Sequence, residues 1–287
     1  MKITVIGSNG QLGSDIVKEF SLKEYEVVGL THTEIEVSNF ESVRSVLTNV
    51  KPDVVVNTAA MHNVEKCEQE QLRSFEVNSL GAKYLAETCN EINSVLVHIS
   101  TDYVFDGKKN SPYAETDKTT PLNVYGNTKV SGEQFIEAIA KKYFIMRTSG
   151  VYGHSPCRAK GGLNFVELML KLAKEKPELR VVDDEILTPT STKEIAPQLI
   201  ELIKTDAYGL YHSTAEGSCS WFQFAKKIFE LTSTKANLQI AGLNEFPMKV
   251  PRPKYSVLEN ANLKSRGINI MKSWEDGLKE YLNSNGR

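Results

Sequence analysis

The sequence predicts an α/β fold: a Rossmann-type, doubly wound parallel sheet with a smaller, interwoven C-terminal α/β lobe. Three observations predict it. Apolar strand-like runs alternate with helical periodicity over the first 149 residues, the pattern of repeated βαβ units. The first of these runs opens directly into a glycine turn. After Tyr152 the rhythm changes to polar loops, short apolar runs and separate amphipathic helices.

Residues 3–6 (ITVI) read as the first strand, residues 7–13 (GSNGQLG) as a turn, and Ile16, Val17 and Phe20 then give helical spacing. Strand, glycine turn, helix is the context in which a glycine pattern binds a dinucleotide. Glycines let the backbone approach a pyrophosphate, and the helix N-terminus supplies N–H groups and partial positive charge. Gly7, Asn9, Gly10, Gln11, Leu12 and Gly13 are the expected cradle, with a plain turn as the alternative; the G-x-x-G-x-x-G spacing is slightly wider than G-x-G-x-x-G.

The second strand, 27–30, runs into Thr31, His32, Thr33 and Glu34. An enzyme strict for NAD places an acid at this strand end to hold the ribose hydroxyls. Here Leu30 or Thr31 takes that place, with no carboxylate to repel a 2′-phosphate and no arginine to welcome one. NADPH, or use of both NADPH and NADH, is therefore expected, with Thr31 and His32 as cofactor contacts and Glu36 and Val37 bordering the adenine. The next strand, within 52–60, ends in Asn57, Thr58, Ala59 and Ala60, whose small side chains let a flat cofactor lie close to the backbone. Tight packing of strand on helix would explain them equally well. His62 and Glu65 follow on a loop, where a lone histidine reads as structural.

Residues 71–90 carry Leu72, Phe75, Leu80 and Leu85 at helical spacing, a long helix facing the sheet. Asn78 points inward within it and is expected to satisfy backbone groups of neighbouring strands. Strands are expected at 95–100, 143–147, 179–183 and 209–212, helices from Asn164, over 221–229 and over 274–281, and a loop covering the cleft at 154–162. Residues 1–149 and about 187–215 are assigned to the dinucleotide-binding domain, and about 150–186 and 216–287 to a substrate lobe, with the active cleft between them.

A chain of 287 residues can bury a substantial core. Its net charge of -2 leaves no basic footprint, so nucleic acid is not an expected partner. No apolar run approaches the ~20 residues of a membrane span, and residues 1–7 read as the first strand rather than a signal peptide. The four cysteines, Cys67, Cys89, Cys157 and Cys219, are scattered without C-x-x-C or a histidine at ligand spacing. A cytoplasmic protein with free thiols and no metal site is expected; a homodimer is among the states the sequence allows.

The chemistry centres on Tyr125 and Lys129, which are four apart and share one face of a helix. A phenol has a pKa of roughly 10. An ammonium beside it favours the phenolate and brings the group toward the range useful for proton transfer. Thr101, at the end of the 95–100 strand, can offer its hydroxyl to the same carbonyl oxygen.

Taken with residues 7–13, 57–60, 100–107, 121–129 and Arg147, Thr148 and Ser149, these motifs resemble the extended short-chain dehydrogenase/reductases, from the N-terminus through Arg252 and Pro253. The resemblance implies a nicotinamide cofactor and reduction of the C4 ketone of a nucleotide-linked 4-keto-6-deoxy sugar. It implies Tyr125 as proton donor, Lys129 as the group that lowers its pKa and holds the nicotinamide ribose, and Thr101 on the carbonyl oxygen. Tyr103 and Asn164 match positions near the sugar, and Arg252 a basic residue near the nucleotide diphosphate; a helix cap or a surface charge is the alternative for the last two. Gly150, Met61 and Tyr255 depart from the pattern of rhamnose-forming members, Gly150 by standing where a tryptophan usually lines the sugar pocket. A dehydratase is disfavoured because the chain reads Thr101, Asp102, Tyr103 rather than Thr-Asp-Glu. A nucleotide-sugar epimerase and a non-catalytic regulatory subunit remain as alternatives.

Overall fold

In the first half of the chain, strand and helix alternate as expected. The structure, a computed structural model, describes residues 1–157, 161–242, 245 and 250–284. β1 (Lys2–Ile6) leads into α1 (Gln11–Leu22), and β2 (Glu26–Leu30) into α2 (Phe40–Val50). β3 (Val54–Asn57) is followed by α3 (Val64–Gln69), α4 (Gln71–Phe75), a π turn (Glu76–Leu80) and α5 (Gly81–Glu91). β4 (Val95–Thr101) runs into a 3-10 turn (Asp102–Val104), then α6 (Val124–Ile139) and β5 (Tyr143–Thr148). Beyond lie β6 (Val151–Tyr152), α7 (Phe165–Glu175), β7 (Leu179–Val181), β8 (Ile186–Leu187), β9 (Thr190–Ser191) and α8 (Thr192–Ile203). β10 (Gly209–His212), β11 (Cys219–Ser220), α9 (Trp221–Leu231), β12 (Leu238–Ile240), α10 (Ala261–Ser265) and α11 (Trp274–Asn283) complete the described elements.

Six parallel strands form the central sheet in the order β10-β5-β4-β3-β1-β2. Its inner strands, β5, β4, β3 and β1, are buried on both faces because helices cover both. Ile3, Val5, Val54, Val56, Phe144 and Met146 pack against α1 and α8 on one side. Their alternates Ile6, Val55, Leu96 and Ile145 pack against α2, α5 and α6 on the other. Strand order reverses between β1 and β3, which opens a crevice beyond their carboxyl ends where ligands of such sheets bind. A separate core of Tyr152, Val166, Phe224, Trp274 and Leu278 joins β6, α7, α9 and α11.

Two expectations are corrected. The 71–90 helix is three segments, and Leu72 is 82% exposed and Phe75 39% exposed rather than facing the sheet. The π turn inserts extra residues into the helical repeat, so the inward face is carried by Ser74, Asn78, Ala82 and Leu85. Asn78 also serves a loop rather than strands: it accepts from Met61 N at 2.8 Å and donates to Met61 O at 2.9 Å. Of the 154–162 loop, residues 158–160 lie outside the described residues. Its near end is tied to α1, with Ser14 Oγ donating to Ser155 Oγ at 2.6 Å. No helix among the described residues is long and apolar enough to cross a membrane.

Candidate active site

The turn after β1 has the geometry of a phosphate cradle. Gly7 has φ +80°, and a Cβ on Gly13 would stand 2.2 Å from the Gly7 carbonyl oxygen, so α1 can start against the turn only with glycine there. Gly10 caps α1 without a side-chain hydrogen bond, and the first turn of α1 holds no acid. The first N–H groups of a helix have no partner within it, which leaves those of Gln11, Leu12 and Gly13 facing the crevice. This suits a pyrophosphate. The Leu12 side chain is in the core, so its backbone is what it can offer, while Gln11 Nε2 donates to Gly153 O at 3.2 Å. Asn9 lies in the turn, half-buried.

At the end of β2 the structure corrects the reading that no acid stands there. Glu34 folds back so that its Oε2 accepts from Thr31 N at 2.7 Å and Thr31 Oγ1 at 2.9 Å. These two bonds hold its carboxyl below the usual range. An arginine is close by as well: Arg73 of α4 donates to Ser38 Oγ at 2.7 Å and to Glu36 Oε2 at 3.2 Å. His32 faces the same Glu36 carboxylate at 3.3 Å. Val37 is buried in the core and can present only its backbone to an adenine. Ala59 and Ala60, half-buried, line the crevice end of β3.

Tyr125 is brought to the end of β4 by a close approach. Asn123 caps α6, its Oδ1 accepting from Gly126 N at 2.9 Å. A Cβ on Gly126 would lie 2.3 Å from Tyr103 O, so only glycine lets the helix sit on the 3-10 turn. Tyr103 and Tyr125 meet edge to face with centroids 5.8 Å apart. Burial of the Tyr125 hydroxyl raises its pKa, and a hydrogen bond with Thr101 opposes this. Thr101 itself donates to Asp102 Oδ1 at 3.1 Å and accepts from Tyr103 N at 3.2 Å. Ser149, just past β5, donates to Asp102 Oδ2 at 2.9 Å. Desolvation raises the Asp102 pKa against these bonds.

The Lys129 head group is engaged by partners other than that phenol. Its Nζ lies 2.8 Å from His98 Nε2 and donates to Ile99 O at 2.7 Å, and among the described residues it makes no hydrogen bond to Tyr125. Spacing on a helix sets where Cβ atoms lie, while a four-carbon stem leaves the head group free to go elsewhere. Lys129 is buried, which lowers its pKa to about 8 against the opposing charge of Glu133.

Arg252 crosses from the C-terminal segment to the same region, where it pairs with Glu65 and lies close to Tyr103 and Glu185. Burial pushes the Glu185 carboxyl up, while Arg252 and the Trp221 N–H, 3.1 Å away, pull it down. Asn164 is a different matter. Its Oδ1 caps α7 by accepting from Glu167 N at 3.0 Å, and its Nδ2 donates to Gly153 O and Tyr281 Oη at 2.8 and 2.9 Å. Both donors are spent on structure, so the helix-cap alternative replaces the sugar contact. Gly150 has φ +56° with the Thr188 carbonyl 2.8 Å from its would-be Cβ, which leaves no place for a tryptophan on this backbone.

Sequence reasoning missed Asp102, Asn57, His98, Ser149, Glu65 and Glu185 as members of the site. Asp102 had a signal, its place beside Thr101. Glu65 and Glu185 had none, because only the tertiary fold sets them beside Arg252.

Residues 1–286 match the family model described as the RmlD substrate binding domain. The chain is 41% identical to a spore coat polysaccharide biosynthesis protein, SpsK, of Bacillus subtilis (strain 168), covering 98% of this chain and 96% of that one. A crystal structure of a dTDP-4-dehydrorhamnose reductase from Clostridium acetobutylicum superposes with a TM-score of 0.95 at 39% identity, with 100% of both chains covered. One from Bacillus anthracis in complex with NADP gives 0.94 at 36% identity, covering 99% of each chain. The glycine turn, the Tyr125–Thr101 pair and the switch point of the sheet thus stand in a chain that belongs to the RmlD substrate binding domain family.

Proposed function

We propose that this protein is an NADPH-dependent oxidoreductase that reduces the C4 ketone of a dTDP-linked 4-keto-6-deoxy sugar. The observation that carries the reading is the hydrogen bond between Tyr125 and Thr101 at the carboxyl end of β4, in the same parallel sheet whose β1 opens into the glycine turn. The relatives named above as dTDP-4-dehydrorhamnose reductases, one with NADP bound, supply the substrate class and the cofactor. We assign residues 1–149 and about 187–215 to cofactor binding and the remainder to the sugar nucleotide. Four buried cysteines, none in a disulfide, suit a reducing cytoplasm.

When bound, the reduced nicotinamide supplies the hydride. The residues of the chain supply the rest. The N-terminus of α1 would hold the pyrophosphate, with Ala59 and Ala60 leaving room above the strand ends. A phenol whose pKa is raised stays protonated at neutral pH, so Tyr125 is a donor poised to protonate an alkoxide rather than a base. Thr101 orients that hydroxyl and, turned from Asp102, adds a hydrogen bond to the developing oxyanion. Arg252, held by Glu65 and near Tyr103, faces the anionic end of the substrate as a guanidinium fork.

The test is incubation with a panel of nucleotide-linked 4-keto-6-deoxyhexoses, following loss of NADPH absorbance and the product by NMR. Stoichiometric reduction at C4 is expected. Binding of NADPH without consumption on any of these sugars would sink the proposal, and conversion to an epimer without net consumption would replace it.

A further inference from the structure

The direction of the hydrogen bonds around Lys129 follows from one backbone group. Ala59 N–H can only donate, and it lies 3.1 Å from Asn57 Oδ1. That fixes the Asn57 amide, because the reverse orientation would set its NH2 against the Ala59 N–H. Asn57 Nδ2 therefore donates to His98 Nδ1, 3.0 Å away. His98 is buried at 1% exposure, and desolvation presses its pKa well below that of an ordinary imidazole; a charged Lys129 beside it would only press it further. A neutral ring that accepts at Nδ1 carries its proton on Nε2. That N–H points at Lys129 Nζ, 2.8 Å away. An ammonium has three donors and no lone pair, so it would meet the ring donor to donor. A free amine has the lone pair the ring requires and keeps protons for Ile99 O at 2.7 Å.

We propose that His98, oriented by Asn57, is a positioning residue for Lys129: the amine form docks on the ring, and the ammonium form is expelled from it toward Tyr125 and the cofactor ribose. Proton uptake then moves the lysine from its resting place to its working place. The inference rests on Lys129 belonging to the reductase site, and it accounts for finding the head group hydrogen-bonded to His98 and Ile99 rather than to Tyr125.

The charges around Lys129 are consistent with this. Glu133, one turn along α6, favours the ammonium, but it is already bound by Arg147 of β5 at 2.7 Å and by Ser100 of β4. From the 3-10 turn Asp102 is engaged by Thr101 and Ser149. Tyr125 and, on α3, Cys67 have pKa values raised by burial and remain neutral. The residues that the π turn and α5 set against α6 there, Asn78, Ser79 and Ala82, carry no charge. Burial prevails, and the lysine pKa falls to about 8.

The experiment is NMR on the cofactor-free protein carrying 13C at lysine Cε and 15N in histidine. Loss of one signal in Lys129→Met identifies Lys129, which is expected to titrate near pH 8, and His98 is expected to show a protonated Nε2 and bare Nδ1. Asn57→Asp reverses the chain of hydrogen bonds, since the new carboxylate accepts from both Ala59 N–H and a His98 Nδ1–H and leaves Nε2 free to accept from an ammonium. His98→Gln removes the ring donor and adds no charge. Both are expected to raise the Lys129 midpoint by roughly one pH unit or more, the usual spread of such environments. An unmoved midpoint in His98→Gln overturns the proposal whatever Asn57→Asp does, because the latter adds charge. Should His98→Gln not fold, the wild-type tautomer decides: a proton on Nδ1 refutes the scheme. Full turnover in Tyr125→Phe would instead defeat the reductase reading and leave the tautomer result standing.

Discussion

Replacing Glu194 by glutamine is expected to stabilise the protein above neutrality and to change little in acid. Glu194 lies in the first turn of α8, 8% exposed, with its carboxyl flat against α11 where Gly277 leaves room. Among the described residues neither oxygen has a well-formed hydrogen bond, the Tyr152 hydroxyl is likewise unpartnered, and the backbone of Lys272 and Ser191 offers partial help. Desolvation therefore raises the carboxyl from 4.5 to about 7, with Glu280 adding to the shift and Lys272 opposing it. The native state then binds the proton more tightly than the unfolded chain. Its stability falls as pH rises from 4.5 through about 7 and is level above that. A gap of about 2.5 pH units corresponds to roughly 3 kcal/mol. Glu194→Gln keeps the shape and removes the titration. Thermal melts of both proteins should agree near pH 4.5 and separate by ~6–12 °C at about pH 8, at ~2–4 °C for each kcal/mol. A difference that does not change with pH, or a variant less stable than the parent in mild alkali, would refute the reasoning.

Two further outcomes are expected. Tyr125→Phe should keep fold and NADPH affinity, since the ring still packs on Tyr103, and lose ~10²–10⁴ in turnover, the usual worth of a general acid; stopped-flow absorbance and a binding titration read the two separately, and undiminished turnover would remove Tyr125 from the mechanism. Gly13→Ala forces a Cβ to within 2.2 Å of backbone at Gly7, so the start of α1 must move and NADPH affinity should fall by ~10-fold or more, because even ~1 Å of misplacement can cost ~10²-fold. Gly10→Ala, whose nearest contact would be 3.3 Å, serves as the comparison, and equal affinity in both variants would count against the cradle.

The turn after β1, the strand that delivers Thr101 and the helix that carries Tyr125 were legible because each is written within a few consecutive residues. Strand periodicity, a glycine held at positive φ and a capping asparagine are local properties, and local physics decides them. The exposed Leu72 was not legible, because one π turn rotates a helical face without altering the apolar spacing that suggests it. Asn164 shows the same limit: a polar residue at a helix start reads alike as a cap or as a ligand until Gly153 and Tyr281 arrive to take its protons.

The sequence by itself determined the parallel sheet, the glycine turn after β1 and the elements that carry Thr101 and Tyr125. Only the tertiary structure decided where the long side chains end. Register between β3 and β4 sets Asn57 opposite His98, and packing of α6 on β4 brings Lys129 to that ring rather than to its neighbour on the helix. Arg73 meets Glu36, and Arg252 meets Glu65, across gaps in sequence that no local pattern spans. A charged group buried in low dielectric takes whichever partner the fold supplies, and its protonation follows from that partner.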